Sequence, residues 1–309
     1  MESVERERNR WRRAHRFARL PWVVLLMATS ASCFGAGLDS RTMTGLGFEA
    51  IELRRTAENH LYLSGRANGH RASCLVDTGW SYTTMQPGKA SGGGGITLQL
   101  GRVTFTNQPA RVEALRFNGK PASFDVVLGL DFLQSQAAVL DCGRHRLYTR
   151  RPSAKEPKPQ ELETALRRAG FQEVQLSMQS PPALTVHAQA NGQAIQLLLD
   201  SGAAWSCLDE RQVLRLGLKP QPSTTRITGA GKTGTRTVAV ATLRSFVLGE
   251  REFSPLTLAL FDLADWGFAA PEAPLREVQG ILGGELLATL NAVIDCQQRK
   301  LWIQSRPRR

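Results

Sequence analysis

A mainly β chain built from two copies of one unit is the fold class this sequence predicts. Three observations carry it: a gapless internal repeat, short apolar runs separated by Asn-Gly turns, and few segments with helical periodicity. Residues 47–79 fall on 170–202 at an offset of 123, and ten of these 33 positions are identical. Gly47-Phe48 meets Gly170-Phe171, Leu53 meets Leu176, and Ala67-Asn68-Gly69 meets Ala190-Asn191-Gly192. Leu75-Val76-Asp77-Thr78-Gly79 meets Leu198-Leu199-Asp200-Ser201-Gly202. A second block repeats at an offset of 154, taking Val127-Leu128-Gly129 to Ile281-Leu282-Gly283 and Ala138–Cys142 to Ala292–Cys296. Two blocks in the same order mark a duplication.

The elements follow in chain order. The segment 1–33 reads as an address: an Arg-rich stretch from Arg6 to Arg19, the apolar run Leu20–Ala28, then Thr29-Ser30-Ala31-Ser32-Cys33. Basic, apolar, small is the order of a secretory signal, and the apolar run is shorter than the ~20 residues of a spanning helix. A lipid anchor on Cys33 is the weaker reading, because Leu is missing before it. Repeat 1 is expected over 46–149 and repeat 2 over 170–304. In each, Ala-Asn-Gly between alternating apolar runs predicts a tight hairpin, since Asn and Gly accept positive φ. The continuous apolar runs before Asp77 and Asp200 predict strands buried on both faces. Helices are expected only at Gln160–Arg168, at Asp209–Leu216, and as short turns after Gly129 and Gly283. The Pro- and charge-rich 150–159 stretch reads as a linker, so that linker and helix together span 150–169.

Composition narrows the function. The formal charge is +12, of which seven Arg against three Glu in the segment 1–32 supply +4. The remainder is spread out, with no basic stripe interleaved with aromatics, so nucleic acid is not expected as a partner. The five His (15, 60, 70, 145 and 187) form no ligand-spaced pair and there is no Cys-x-x-Cys, so no metal and no cofactor are expected. Cys74, Cys142, Cys207 and Cys296 are an even set in an exported chain, open to disulfides or to burial as free thiols. Gly229-x-Gly231-x-x-Gly234 fits a dinucleotide loop, but Thr237-Val238-Ala239-Val240 behind it reads as strand rather than helix.

One Asp-Thr-Gly is an ordinary turn sequence. Two such triplets at equivalent places in a duplicated β unit are a specific signal. Here the chain resembles the retropepsin-like and pepsin-like aspartic peptidases, over about 47–148 and 170–303. Leu197–Ser206 is the closer match, and Gly280-Ile281-Leu282-Gly283 and Ala292–Asp295 are similar to the family's closing segments, especially those of bacterial exported members. The resemblance implies two tandem acid-protease β-barrel repeats forming a bilobal unit, with Asp77 and Asp200 as a catalytic pair acting on peptide substrates. Two carboxylates held close cannot both ionise cheaply, so they share a proton and activate a water between them. The hydroxyls of Thr78 and Ser201 are implied to brace the opposite loop, while Gly79 and Gly202 leave clearance where the loops meet.

Between Gly79 and Leu100 the offset rises from 123 to 148, so repeat 2 carries an insertion there that repeat 1 lacks. That stretch contains Gly229-Ala230-Gly231, which looks like the tip of a substrate-covering flap, and a single flap from repeat 2 is expected. Trp80 stands where the family has a small residue; it either forms a subsite or only packs where the absent helix would lie. Asp125, Asp131, Asp141 and Asp295 are expected to cap turns or pair with nearby Arg rather than catalyse. A monomeric endopeptidase is the leading expectation. The alternatives are an inactive peptide-binding module of the same fold and a homodimer in which each chain supplies Asp200.

Overall fold

The computed structural model describes residues 38–90, 95–117, 120–151, 159–180, 182–228, 235–266 and 277–305. The segment 1–33 with Cys33, the Pro-rich 152–158 and Gly229-Ala230-Gly231 lie outside the described residues. Among the described residues no helix is long and apolar enough to cross a membrane.

The apolar runs form strands as their continuity requires. His70–Val76 and Gln193–Leu199 each enter the core through a buried triplet, Cys74-Leu75-Val76 and Leu197-Leu198-Leu199. Each is paired antiparallel on one side to Leu61–Ala67 or Ala183–Ala190, through a two-residue turn with Asn68 and Asn191 at φ 50° and Gly69 and Gly192 at φ 82° and 79°. On the other side each takes a parallel partner. Cys74, Leu75 and Val76 face Val126, Val127 and Leu128, and the two offsets carry these pairs onto Leu197–Gly280, Leu198–Ile281 and Leu199–Leu282. Register is therefore the same in the two repeats, residue for residue. The fold is mainly β, in curled sheets, with the short helices Leu130–Ser135 and Gly284–Thr289 after the two glycines as expected.

What joins the repeats is a run of six antiparallel strands, three from each. The order is Phe48–Glu52, Arg146–Arg150, Val139–Asp141, Val293–Asp295, Lys300–Gln304 and Phe171–Gln179. At the centre Val139 faces Asp295, Leu140 faces Ile294 and Asp141 faces Val293, a register that an approximate twofold between Leu140 and Ile294 maps onto itself. Cys142 N donates to Ala292 O (2.8 Å) and Cys296 N to Ala138 O (3.0 Å), extending the seam at both ends. Helices Ser40–Gly45 and Pro159–Arg168 cover this sheet with a cluster that includes Met43, Leu162, Leu166, Phe171, Tyr148 and Trp302.

Two expectations need correction or a choice. The helix expected over Asp209–Leu216 is a single 3-10 turn, Glu210–Gln212, followed by irregular turns. Asp209 commits its carboxylate to Arg211, and Gly217 (φ 61°) with Pro220 ends the segment before a second helical turn forms. Cys74, Cys142, Cys207 and Cys296 are all free and buried. Burial pushes the Cys74 and Cys207 thiols up to about 12, which keeps them inert.

Because the central strand pair belongs to both repeats, we predict that they unfold together. Ile294→Ala, at a fully buried position, should lower stability by about 2–5 kcal/mol within one transition, followed by circular dichroism and tryptophan fluorescence in guanidinium. Two separated transitions would contradict the shared sheet.

Candidate active site

Each candidate carboxylate stands at the end of a strand that is buried on both faces, and the strand fixes where it points. Asp77 N donates to Leu128 O and Asp200 N to Leu282 O, both at 3.1 Å, so each turn leaves its sheet at the same place. The turn residues then reach across. Thr78 Oγ1 donates to Leu199 O (2.9 Å) and accepts from Ser201 N (3.0 Å). Ser201 Oγ donates to Val76 O (2.9 Å) and accepts from Thr78 N (3.0 Å). Four hydrogen bonds between two buried hydroxyls and the opposite backbones thus bind the two turns together. A valine at 78 or an alanine at 201 keeps the fold's pattern but removes both bonds made by that hydroxyl.

Crossing at this distance forces glycine at the next position. A Cβ added at Gly79 would lie 2.6 Å from both oxygens of Asp200, and one at Gly202 would lie 2.6 Å from Asp77 Oδ1. Each carboxyl group is thereby packed against the backbone of the other turn. Gly79 N donates to Asp77 Oδ1, and the amides of Gly202 and Ala203 both donate to Asp200 Oδ1, each at 2.8 Å.

The two carboxyl groups lie close enough for each to act on the protonation of the other. Burial holds Asp77 well above the ordinary carboxylate range, and the charge of Asp200 and the bond to it push further the same way. Burial also raises Asp200, but the hydrogen bond from Asp77, two amides and the nearby His60 oppose it. Burial thus raises both acids, and they take up and release protons as a pair.

A further layer repeats in both halves. Asp131 Oδ1 accepts from Thr83 N and Thr83 Oγ1, both at 2.7 Å, and Gly129 N donates to Thr83 Oγ1. At the equivalent places the Glu285 carboxylate accepts from Ser206 N (2.8 Å), and Gly283 N donates to Ser206 Oγ (2.8 Å). Leu130 N to Trp80 O (2.7 Å) and Gly284 N to Ala203 O (2.8 Å) complete it. Asp131, read as a cap, is one; Glu285 escaped notice in the sequence because Asp and Glu alternate between the repeats. Asp125, Asp141 and Asp295 also accept backbone amides, from Ser73, Arg144 and Gln298.

The Trp80 indole does not separate the carboxyl groups. Its Nε1 donates to Thr84 Oγ1 (2.9 Å), and the ring packs on Leu75, Leu115, Phe124 and Val127. In repeat 2 the equivalent wall is Leu198, Ile281 and Val278 with Ala203, covered by Ile227 and Val238. Ile227 lies in Arg226–Thr228, which pairs antiparallel with Thr235–Thr237; Gly229-Ala230-Gly231, expected to cover substrate, lie outside the described residues. Trp80 therefore fills space that repeat 2 fills from its insertion.

A mainly β chain in which two Asp turns interlock defines the aspartic-protease class of fold. Residues 186–286 match the family model described as "Aspartyl protease", which includes Asp200, Ser201 and Gly202. The match lies within the second repeat, the one whose Asp-Ser-Gly turn carries the closer resemblance to the retropepsin-like and pepsin-like aspartic peptidases. Among solved structures, a retropepsin-like aspartic protease from Rickettsia conorii is similar at 20% identity and TM-score 0.30, covering 43% of this chain and 90% of its own. An aspartic proteinase from Irpex lacteus is similar at 12% identity and TM-score 0.45, covering 84% of this chain and 97% of its own. No curated protein matches the chain.

The interlock can be tested in two ways. Thr78→Val and Ser201→Ala should each cost about 1–3 kcal/mol, and the double variant less than their sum because they share one network; additive losses in urea melts would refute the network. Asp77→Asn should raise stability near neutral pH. The Asp77 pKa is raised on folding, so the penalty for keeping this acid builds up as pH rises from the unfolded value near 3.8 toward the folded one, and the gain should vanish below 3.8. Equal gains at pH 3 and pH 7 would contradict this.

Proposed function

We propose that the protein is an aspartic endopeptidase in which one chain supplies both carboxylates, Asp77 and Asp200. The observation that carries the reading is the crossed Thr78–Ser201 contact, which binds the two Asp turns face to face and packs each carboxyl group against the glycine of the other turn. In this reading the ionised Asp200 takes a proton from a water that attacks the scissile carbonyl, and the protonated Asp77 donates to the carbonyl oxygen. The oxygen of the water becomes bonded to the carbonyl carbon; the proton held by Asp200 then passes to the amine nitrogen, Asp77 takes one back from the diol, and the C–N bond breaks. Donor and acceptor both sit in a buried site, where a pre-set pair acts more strongly than in water.

The roles of the neighbours follow. Thr78, Ser201, Gly79 and Gly202 maintain the distance between the acids. The hairpin carrying Gly229, Ala230 and Gly231 covers the substrate from the repeat 2 side. Trp80 and the wall it packs on form the repeat 1 side of the cleft. The basic–apolar–small order of the segment 1–33 supports an exported enzyme acting on peptides outside the cytoplasm.

Cleavage of a peptide library, read by mass spectrometry, tests this. Asp77→Asn and Asp200→Asn should each lower kcat by at least about 10²–10⁴-fold while the folded spectrum is kept. Because burial raises both acids, the pH–rate optimum should lie above the ordinary Asp range. Full activity in Asp77→Asn would overturn the one-chain pair.

A further inference from the structure

The two repeats match in register almost everywhere, so the positions at which they part are informative. Four of them converge on one place. Arg55, Asn59 and His60 of repeat 1 stand where repeat 2 has Met178, Pro182 and Ala183, and Gly284 of repeat 2 stands where repeat 1 has Leu130.

In the structure these residues meet. Arg55 Nη2 donates to Cys142 O (2.8 Å), its Nε to His145 Nε2 (3.1 Å) and its Nη1 to Gly284 O (3.2 Å). Asn59 Nδ2 donates to Ala204 O (3.2 Å), next to the Ala203 amide that serves Asp200. A Cβ at Gly284 would lie 2.8 Å from Asn59 O, so glycine there is what admits the repeat 1 turn. Asn59 adopts φ 65°, and Asn59 N to Thr56 O (3.1 Å), Thr56 N to His60 O (2.9 Å) and His60 N to Thr56 Oγ1 (3.2 Å) close the turn. Met178 and Pro182 carry no side-chain N–H with which to form such a strap.

The turn ends in His60. Its ring meets Phe124 edge-on, with centroids 6.1 Å apart and planes at 79°, which places it against the Phe124 and Trp80 cluster of repeat 1. Ala183, its counterpart, is a buried core residue. The charges acting on the imidazole are Asp200, across the repeat boundary, and then Glu58 on its own turn.

We propose that the Arg55–His60 segment is a one-sided strap that clamps repeat 1 onto the Asp200 loop and makes His60 a positioning residue for the pair. The pH–rate arm of its test rests on the peptidase reading above; the titration arm does not. Burial lowers the His60 pKa and the charge of Asp200 opposes that, so the imidazole is neutral near pH 7 and gains its proton in acid. In acid the imidazolium stabilises the Asp200 anion and extends its ionised range downward.

The experiment is an NMR titration of the histidine ring protons in the full chain, with His60 assigned by its disappearance in His60→Gln. In Asp200→Asn the His60 pKa should fall below its wild-type value, because the one charge raising it across the repeat boundary is gone. Arg55→Met, which removes the strap, should reduce that difference between wild type and Asp200→Asn backgrounds. In turnover assays His60→Gln should shift the acid limb of kcat/KM to higher pH, while its thermal midpoint changes little. Identical His60 titrations in wild type and Asp200→Asn overturn the proposal, whether or not peptides are cleaved. A chain that cleaves nothing but shows the His60 displacement keeps the strap and discards the peptidase.

Discussion

The structure depends on one interaction, the exchange of hydrogen bonds between the Thr78 and Ser201 hydroxyls and the backbones of the opposite turns. Each hydroxyl both donates and accepts, so both buried polar groups are satisfied and neither turn retreats without orphaning the other. Everything chemically interesting sits immediately beyond it. Gly79 and Gly202 let the carboxyl groups pass, and the strands ending at Val76 and Leu199 supply the carbonyls that receive the hydroxyl protons.

A contact of this kind needs two turns presented with matched height and spacing, which is why duplication is a direct route to it. The same register in both halves delivers Asp77 and Asp200 at equivalent heights, and the six-stranded sheet centred on Leu140 and Ile294 holds the halves in place. Symmetry alone would leave the acids equivalent. The departures from symmetry distinguish them: Trp80, Tyr62 and Phe124 wall one side, the hairpin stem walls the other, and His60 lies on the Asp200 side of the charge balance.

Most of this was legible in the chain. The offsets of 123 and 154 located the paired strands and both Asp turns, because residue identity survives where a buried triplet and a tight crossing leave little choice. Less was legible where the contact is long-range and specific to one repeat. Arg55 to Gly284 spans 229 positions and Asn59 to Ala204 spans 145, and nothing in local pattern announces such bonds. The signal was present only as mismatch between aligned repeats, in Arg55 against Met178 and Gly284 against Leu130. The helix expected after Asp209 failed for a local reason, since its first carboxylate is committed to Arg211 and Gly217 arrives too soon.

The claim that one chain completes its own site is tested most directly by stoichiometry. Isothermal titration with a statine-type transition-state analogue, with sedimentation of the same sample, counts sites per chain. The account predicts one inhibitor bound per monomeric chain, with binding lost in Asp77→Asn. One inhibitor per two chains, with Asp77→Asn binding as well as wild type, would contradict it.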